Sequence, residues 1–351
     1  MKALKYILLF LLLVIIAFSI YIATLDNQYD VYRTRTIKAP EEVVFNTVND
    51  YKTWPQWSPW LKMEPDAKIS FGDVSEGEGA TYAWEGEIVG AGNIKTIAVA
   101  KDSIAQAIEF IKPFESTADV YWKFDKKEDG TAVTWGMKGD MDFMTKAYMA
   151  FSGGMDSQIG PDYEKGLQNL DSLVHASMEK YSINTSGITQ HGGGYYLYAT
   201  TSCKIEEIPA KMEEYMPKVG SYARQNNITM AGSPFALYHK YDTENNAVIM
   251  SLAVPISERV ITDKDSGILT GMLLPFTAVK TTLTGNYKNL GEAWNKTKKY
   301  IEKTEGIEKD DNLPGMEVYL NDPINNPNPA DLKTEIFMPI KEAPVSENSD
   351  I

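Results

Sequence analysis

Tyr6 to Leu25 reads YILLFLLLVIIAFSIYIATL, twenty residues without a charge. A helix rising about 1.5 Å per residue would carry that run across about 30 Å, the hydrocarbon thickness of a bilayer. Lys2 and Lys5 precede the run, and Asp26 and Asp30 follow it. This asymmetry puts residues 1–5 in the cytoplasm and everything beyond residue 25 on the extracytoplasmic (periplasmic) side. The alternative is a cleaved secretory signal, but the apolar core is long for one and no small-x-small site follows. With no lipobox cysteine either, the run reads as an uncleaved signal anchor over 6–25. Later apolar stretches such as 268–279 are too short to span and contain Gly271 and Pro275.

The chain beyond the anchor is of ordinary globular composition; over all 351 residues, 43% are hydrophobic and 23% charged. That length suits two domains. One cysteine, Cys203, excludes an intramolecular disulfide framework and a thiolate-rich metal site, and three isolated histidines argue against a multi-histidine centre. Neither a metal nor a cofactor is therefore expected. Acidic residues outnumber basic ones 48 to 34 with no basic patch, so nucleic acid is not expected as a partner.

From Tyr32 the pattern is an alternating strand (YRTRTIKA), an apolar stripe at Val43, Val44, Phe45 and Val48, and then short segments of high β-propensity. These are Thr81–Val89, Ile94–Val99, Ala105–Ile111, Ala118–Phe124 and Thr131–Met137, with a hairpin signal at KKEDGT between the last two. Tyr163, Leu167, Leu170 and Val174 then recur at helical spacing. Residues 182–193 (SINTSGITQHGG) are small, polar and glycine-rich and read as linker, giving a first domain over 31–178, a linker over 179–193 and a second domain over 194–341. The tail 342–351 is polar and reads as disordered.

The second domain contains an internal echo. Gly232, Tyr238 and Pro255-Ile256 in its first half correspond to Gly315, Tyr319 and Pro339-Ile340 in its second. A helical segment precedes each, Pro209–Gln225 interrupted at Pro217, and Asn289–Glu305 with Leu290, Trp294 and Ile301 on one stripe. Two strand–helix–strand–strand copies suggest a pseudo-twofold α+β domain with a groove between the halves.

The motifs VYRTRTIKAPEEVVFNTVNDYKTWPQWSPW, GEGATYAWEGEIVGAG, GTAVTWGMKGDM and MDSQIGPDYEKGLQNL resemble the SRPBCC (START-like, polyketide cyclase/dehydrase) superfamily over about residues 31–178. The resemblance implies a helix-grip fold: an antiparallel sheet around a long C-terminal helix, with an apolar cavity between them. GNYKNLGEAWNKTKKYIE and MEVYLNDP…LKTEIFMPI resemble the GyrI-like effector-binding domain over about 194–341. In multidrug-responsive transcription activators such a domain follows a DNA-binding helix-turn-helix. Here an anchor and a cavity domain stand in that place, which removes any inherited claim to transcriptional activity. The fold class expected is thus α+β, a helix-grip domain plus a duplicated effector-binding domain behind one transmembrane helix.

Alternation in LKTEIFMPI puts Glu335 and Phe337 on one strand face and Thr334, Ile336 and Met338 on the other. The aliphatic set would pack on the helices and leave Glu335 facing the groove, where desolvation against aromatic walls would favour a cationic ligand. The family resemblance implies the same role for Glu335, with Tyr319 and Trp294 as walls; a strand glutamate paired with a lysine is the competing reading. Six of seven tryptophans lie in the first domain, and Trp84 and Trp135 are its candidate cavity residues. Catalytic signatures fail: His191-Gly-Gly-Gly has no accompanying G-x-S-x-G elbow, and GAGN at Gly90 lacks a third glycine. The reading is a membrane-anchored binder of small apolar, aromatic or cationic molecules serving sequestration, sensing or stress protection, without catalytic residues. The rivals are a hydrolase or cyclase using Glu335 and Tyr319 as a base–acid pair, and a module binding a neighbouring membrane protein.

Overall fold

The structure is a computed structural model that describes residues 2–341; the polar tail 342–351 lies outside the described residues. The chain divides into two compact units, Met1–Ser177 and Met178–Ile351.

The first unit opens with α1 (Lys2–Thr24), long and apolar enough to cross a membrane. Strand β1 (Gln28–Ile37) follows, then α2 (Glu41–Asn49), with Pro40 just before its first turn where a missing N–H costs nothing. Two short helices, α3 (Trp54–Trp57) and α4 (Pro59–Met63), carry the WPQWSPW motif. Six strands come next: β2 (Lys68–Phe71), β3 (Thr81–Glu85), β4 (Ala91–Ala100), β5 (Ser103–Lys112), β6 (Ser116–Lys127) and β7 (Gly130–Asp140). Each strand after β2 pairs antiparallel with its predecessor and β1 closes on β7, giving the order β1-β7-β6-β5-β4-β3-β2. Helix α5 (Phe143–Ser152) leads to the long α6 (Gly154–Met178), whose Tyr163, Leu167, Leu170 and Val174 are all buried, as their spacing predicts. Arg33 and Arg35 of β1 clamp that helix through Asp156, Glu164 and Asp171 at 2.6–2.7 Å. A curved sheet gripping one long helix is the α+β arrangement expected.

The second unit holds β8 (Ser182–His191), β9 (Gly194–Cys203), α7 (Ile208–Gln225), β10 (Phe235–Asp242), β11 (Ala247–Ile256), β12 (Leu269–Leu273), β13 (Phe276–Thr284), α8 (Leu290–Lys303), β14 (Gly315–Tyr319) and β15 (Lys333–Pro339). The sheet order is β12-β9-β11-β10-β14-β15-β13-β8. Outward from the centre, β10-β11-β9 and β14-β15-β13 are in matching order, each half with its helix after the outer of the three. Leu197, Ala199, Val254 and Ile256 pack on Val219 and Ala223 of α7, and Leu283 and Ile336 pack on Ala293 of α8. The other face gathers Phe235, Leu237, Ala253, Ala278, Met316 and Phe337, with Tyr196, Tyr198 and Phe276 against them and no helix residue among them.

Two expectations are corrected. Residues 182–191 are not linker: they form β8 and pair with β13 along its whole length, because Ile183, Thr185 and their neighbours alternate as a strand and the glycine within them sits at a register break. Helix α7 is not interrupted at Pro217; it runs unbroken from 208 to 225 with the proline inside it.

Candidate functional site

In the first unit the space between sheet and helix is filled by rings. Trp135, 2% exposed, stacks on Trp122 at 4.6 Å and on Tyr163 of α6 at 4.0 Å between centroids. Trp54 and Trp57 close on the same cluster edge-on. Gly166 makes this possible, since a Cβ there would stand 2.6 Å from the Trp135 ring. Around it, Gln106 donates to Tyr51 Oη and accepts from Trp122 Nε1, both at 3.0 Å, which gives these three buried side chains partners. The Trp135 indole N–H has no partner among the described residues. Trp84 lies apart, half-buried, donating to the Val89 carbonyl at 3.2 Å. Trp84 and Trp135 therefore do not share one wall; Trp135 belongs to the packed stack.

In the second unit the register decides which side chains meet. Val318 pairs with Glu335, while Glu317 pairs with Ile336 and with Ala236. Glu317 and Tyr319 therefore point to the helix-bearing face, and Glu335 and Phe337 to the helix-free one. Glu335 is held there by Lys280 of the neighbouring strand at 2.6 Å, the lysine lying 5.8 Å over the Phe337 ring. His191 sits edge-on to Phe337 at 5.1 Å, and its burial lowers its pKa against the opposing pull of Glu335. Beside it a hollow of about 210 Å³ is lined by His191, Tyr195, Tyr196, Phe235, Leu273 and Met316 among others.

The helix-bearing face holds a carboxylate of a different kind. Glu317 is 2% exposed. Its Oε2 accepts from Tyr319 Oη at 2.7 Å and from Tyr238 Oη at 2.9 Å, and its Oε1 accepts from Trp294 Nε1 of α8 at 2.5 Å. Burial raises its pKa, against which these three neutral donors act, and no cation contributes among the described residues. Burial and the adjacent Glu317 hold both tyrosines well above their ordinary value, so at neutral pH they remain donors. Met212 of α7 approaches Tyr319 Oη at 3.9 Å, and Tyr287 meets the Tyr319 ring edge-on at 5.7 Å. Gly315 leaves room for the indole, because a Cβ there would stand 2.7 Å from Trp294.

Of the residues singled out from sequence, Tyr319 and Trp294 meet on one carboxylate, but that carboxylate is Glu317. Glu335 and Phe337 lie together on the opposite face, so the base–acid pair of Glu335 with Tyr319 does not form. The signal that could have found Glu317 was present: in GMEVY the apolar Met316 and Val318 alternate with Glu317 and Tyr319, which share a face.

The chain thus holds two antiparallel sheets, one wrapped on a long helix and one carrying a pair of helices beside a buried aromatic-bonded acid. Residues 28–175 match the family described as polyketide cyclase / dehydrase and lipid transport. Residues 195–341 match the GyrI-like small molecule binding domain. The two matches follow one another along the chain, behind an N-terminal apolar helix. Among solved structures it is similar to the EcmrR C-terminal domain (16% identity, TM-score 0.39, 46% of this chain and 98% of that one). It is likewise similar to protein Ms6760 from Mycobacterium smegmatis (19% identity, TM-score 0.32, 42% and 91%) and to Ara h 8.0201 (12%, 0.32, 42% and 99%). No curated protein matches the chain.

Proposed function

We propose that the chain is a membrane-tethered receptor for lipophilic, aromatic cations, that Glu317 reads the charge of the ligand, and that the role is sequestration or sensing. The observation that carries this is a buried carboxylate with three aromatic donors and no counter-cation among the described residues. Desolvating a carboxylate without a cation is costly. A ligand cation entering between Tyr238, Trp294 and Tyr319 would supply the missing charge, and the same rings would add about 0.5–2 kcal/mol of cation–π attraction. Glu335 is a poorer charge reader, being already neutralised by Lys280. The apolar, charge-free run of α1 supports a single-pass tether with the globular units on the extracytoplasmic side.

The test is titration of the detergent-purified full chain with tetraphenylphosphonium, followed by fluorescence. Glu317→Gln keeps the shape and removes the charge, and binding is expected to weaken by at least about tenfold, or about 1.4 kcal/mol. Glu335→Gln is expected to leave affinity unchanged. The opposite ranking would move the ligand to the helix-free face, and equal affinity for all three chains would remove the cation reading. A carboxyl with raised pKa beside a tyrosine hydroxyl could also act as a general base on an electrophilic substrate. Turnover lost on Glu317→Gln, in place of simple saturation, would favour that second reading.

A further inference from the structure

Helix α5 takes no part in either ligand cluster, and its composition is unusual for a surface helix. FMTKAYMAFS has one charged side chain, and it is turned inward: Lys146 is 5% exposed. Its ammonium donates to the Leu25 carbonyl at 3.1 Å and to Asn27 Oδ1 at 2.8 Å, both at the point where α1 ends. The Met141 N–H donates to the Asn27 carbonyl at 2.6 Å, tying the start of α5 to the same place. Met144, Tyr148 and Phe151 stand at i, i+4 and i+7 and so share one stripe. They are 72%, 65% and 80% exposed. A helix face open to water is ordinarily polar or charged; this one offers a thioether and two rings.

The stripe is continuous with α1. The Phe151 ring lies 5.0 Å from that of Phe18. Phe18 precedes Leu25 by seven residues, which places it about 10 Å down the helix axis. If α1 crosses a bilayer and leaves it near Leu25, Phe151 stands below the surface, at a depth where only lipid can surround it. Asp142 caps the other end of α5 by accepting from the Thr145 N–H at 2.7 Å. Gly153 and Gly154, both at φ +88°, a conformation that glycine adopts without penalty, turn the chain out of α5 and into α6.

We propose that α5 is a second membrane contact: an interfacial helix lying against α1 that sinks Met144, Tyr148 and Phe151 into the leaflet from which α1 emerges. Its partner is the lipid bilayer. A tyrosine with a wet hydroxyl and an apolar ring suits that depth, and an apolar stripe beside a spanning helix gains by being covered with acyl chains. The first unit is then held to the membrane by two helices joined through Lys146. This inference rests on the reading of α1 as a membrane span.

The experiment reconstitutes the unaltered full chain into phosphatidylcholine vesicles carrying a lipid with a diazirine in mid-acyl chain, and maps the adducts after irradiation. Adducts are expected on 143–152 as well as on 6–25, and none on the exposed hairpin tip at 127–129 of the first unit, which lies at the opposite end of β7 from Asp140. Adducts confined to 6–25 would overturn the α5 contact and leave the anchor standing. Absence from both segments would overturn the anchor reading and this inference with it. A second measurement uses Phe151→Cys on a Cys203→Ser background with a nitroxide label. Accessibility to oxygen above that to an aqueous nickel chelate supports immersion, and the reverse, matching a label at Glu128→Cys in the β6–β7 hairpin, overturns it.

Discussion

At the scale of single residues, Glu317 ties the second unit's stability to pH. Burial holds its carboxyl above the ordinary carboxylate value, and the donors from Tyr238, Trp294 and Tyr319 only partly oppose this. With a folded pKa above the unfolded one, the native state binds the proton more readily. The stability this proton brings is fully present below the unfolded value, about 4.3 for a glutamate, and is lost as pH rises through the folded value. The urea midpoint of the parent chain, measured relative to Glu317→Gln, is therefore expected to climb as pH falls from 7 toward about 4.5. A difference that stays constant across that window would remove the desolvation account. The same residue shows where sequence reasoning runs short. Alternation in LKTEIFMPI sorts Glu335 and Ile336 onto opposite faces correctly, but alternation cannot say which face carries a lysine. Lys280 lies more than fifty residues away and reaches Glu335 only through the β13–β15 pairing.

At the scale of elements, the long signals were legible. The α1 run, the α6 stripe at Tyr163, Leu167, Leu170 and Val174, and strands β1 and β3 to β7 follow from apolar periodicity, β-propensity and turn signals, whereas the four-residue β2 is too short to show in them. Strand β8 was obscured because its composition mimics a tether, and the residue most responsible is Gly187. In the structure Gly187 has φ +89° and sits where the β8–β13 register shifts, with Lys280 opposite Gly187 and Thr281 opposite Thr185. A bulge needs that conformation as a flexible linker needs glycine, and composition does not separate the two. A substitution does. Gly187→Ala forces a side chain into the left-handed region and brings its Cβ to 3.0 Å from Tyr300 Oη. The expected cost is about 1–2 kcal/mol, read as a lower urea midpoint at unchanged slope. A linker glycine at this position would give no change. The filled interior of the first unit has a similar lesson. The tryptophan-rich composition marked an aromatic interior, but only the packing shows Trp135 stacked between Trp122 and Tyr163, with Gly166 giving it room.

At the scale of the whole molecule, the formal net charge is −14, and the part beyond the apolar helix is more acidic still, since the residues before Asp26 contribute two lysines and no acid. Such a body attracts cations from solution and repels anions, and the attraction acts on encounter more than on the bound state. The proposed receptor separates these two steps in space. The surface field is screened within about 30 Å at 0.01 M salt and about 3 Å at 1 M, whereas Glu317 is only 2% exposed and so is screened far less. Stopped-flow binding of tetraphenylphosphonium to the detergent-purified chain should therefore show an association rate that falls several-fold, within the roughly 10–10³ range of electrostatic steering, as salt rises between those limits. The dissociation rate should stay flat, because the contact that holds the ligand lies out of reach of the salt. An association rate indifferent to salt would mean that the acidic surface does not guide the ligand. A dissociation rate that climbs with salt would put the bound cation against an exposed carboxylate, and the buried acid between α7 and α8 would no longer be its partner.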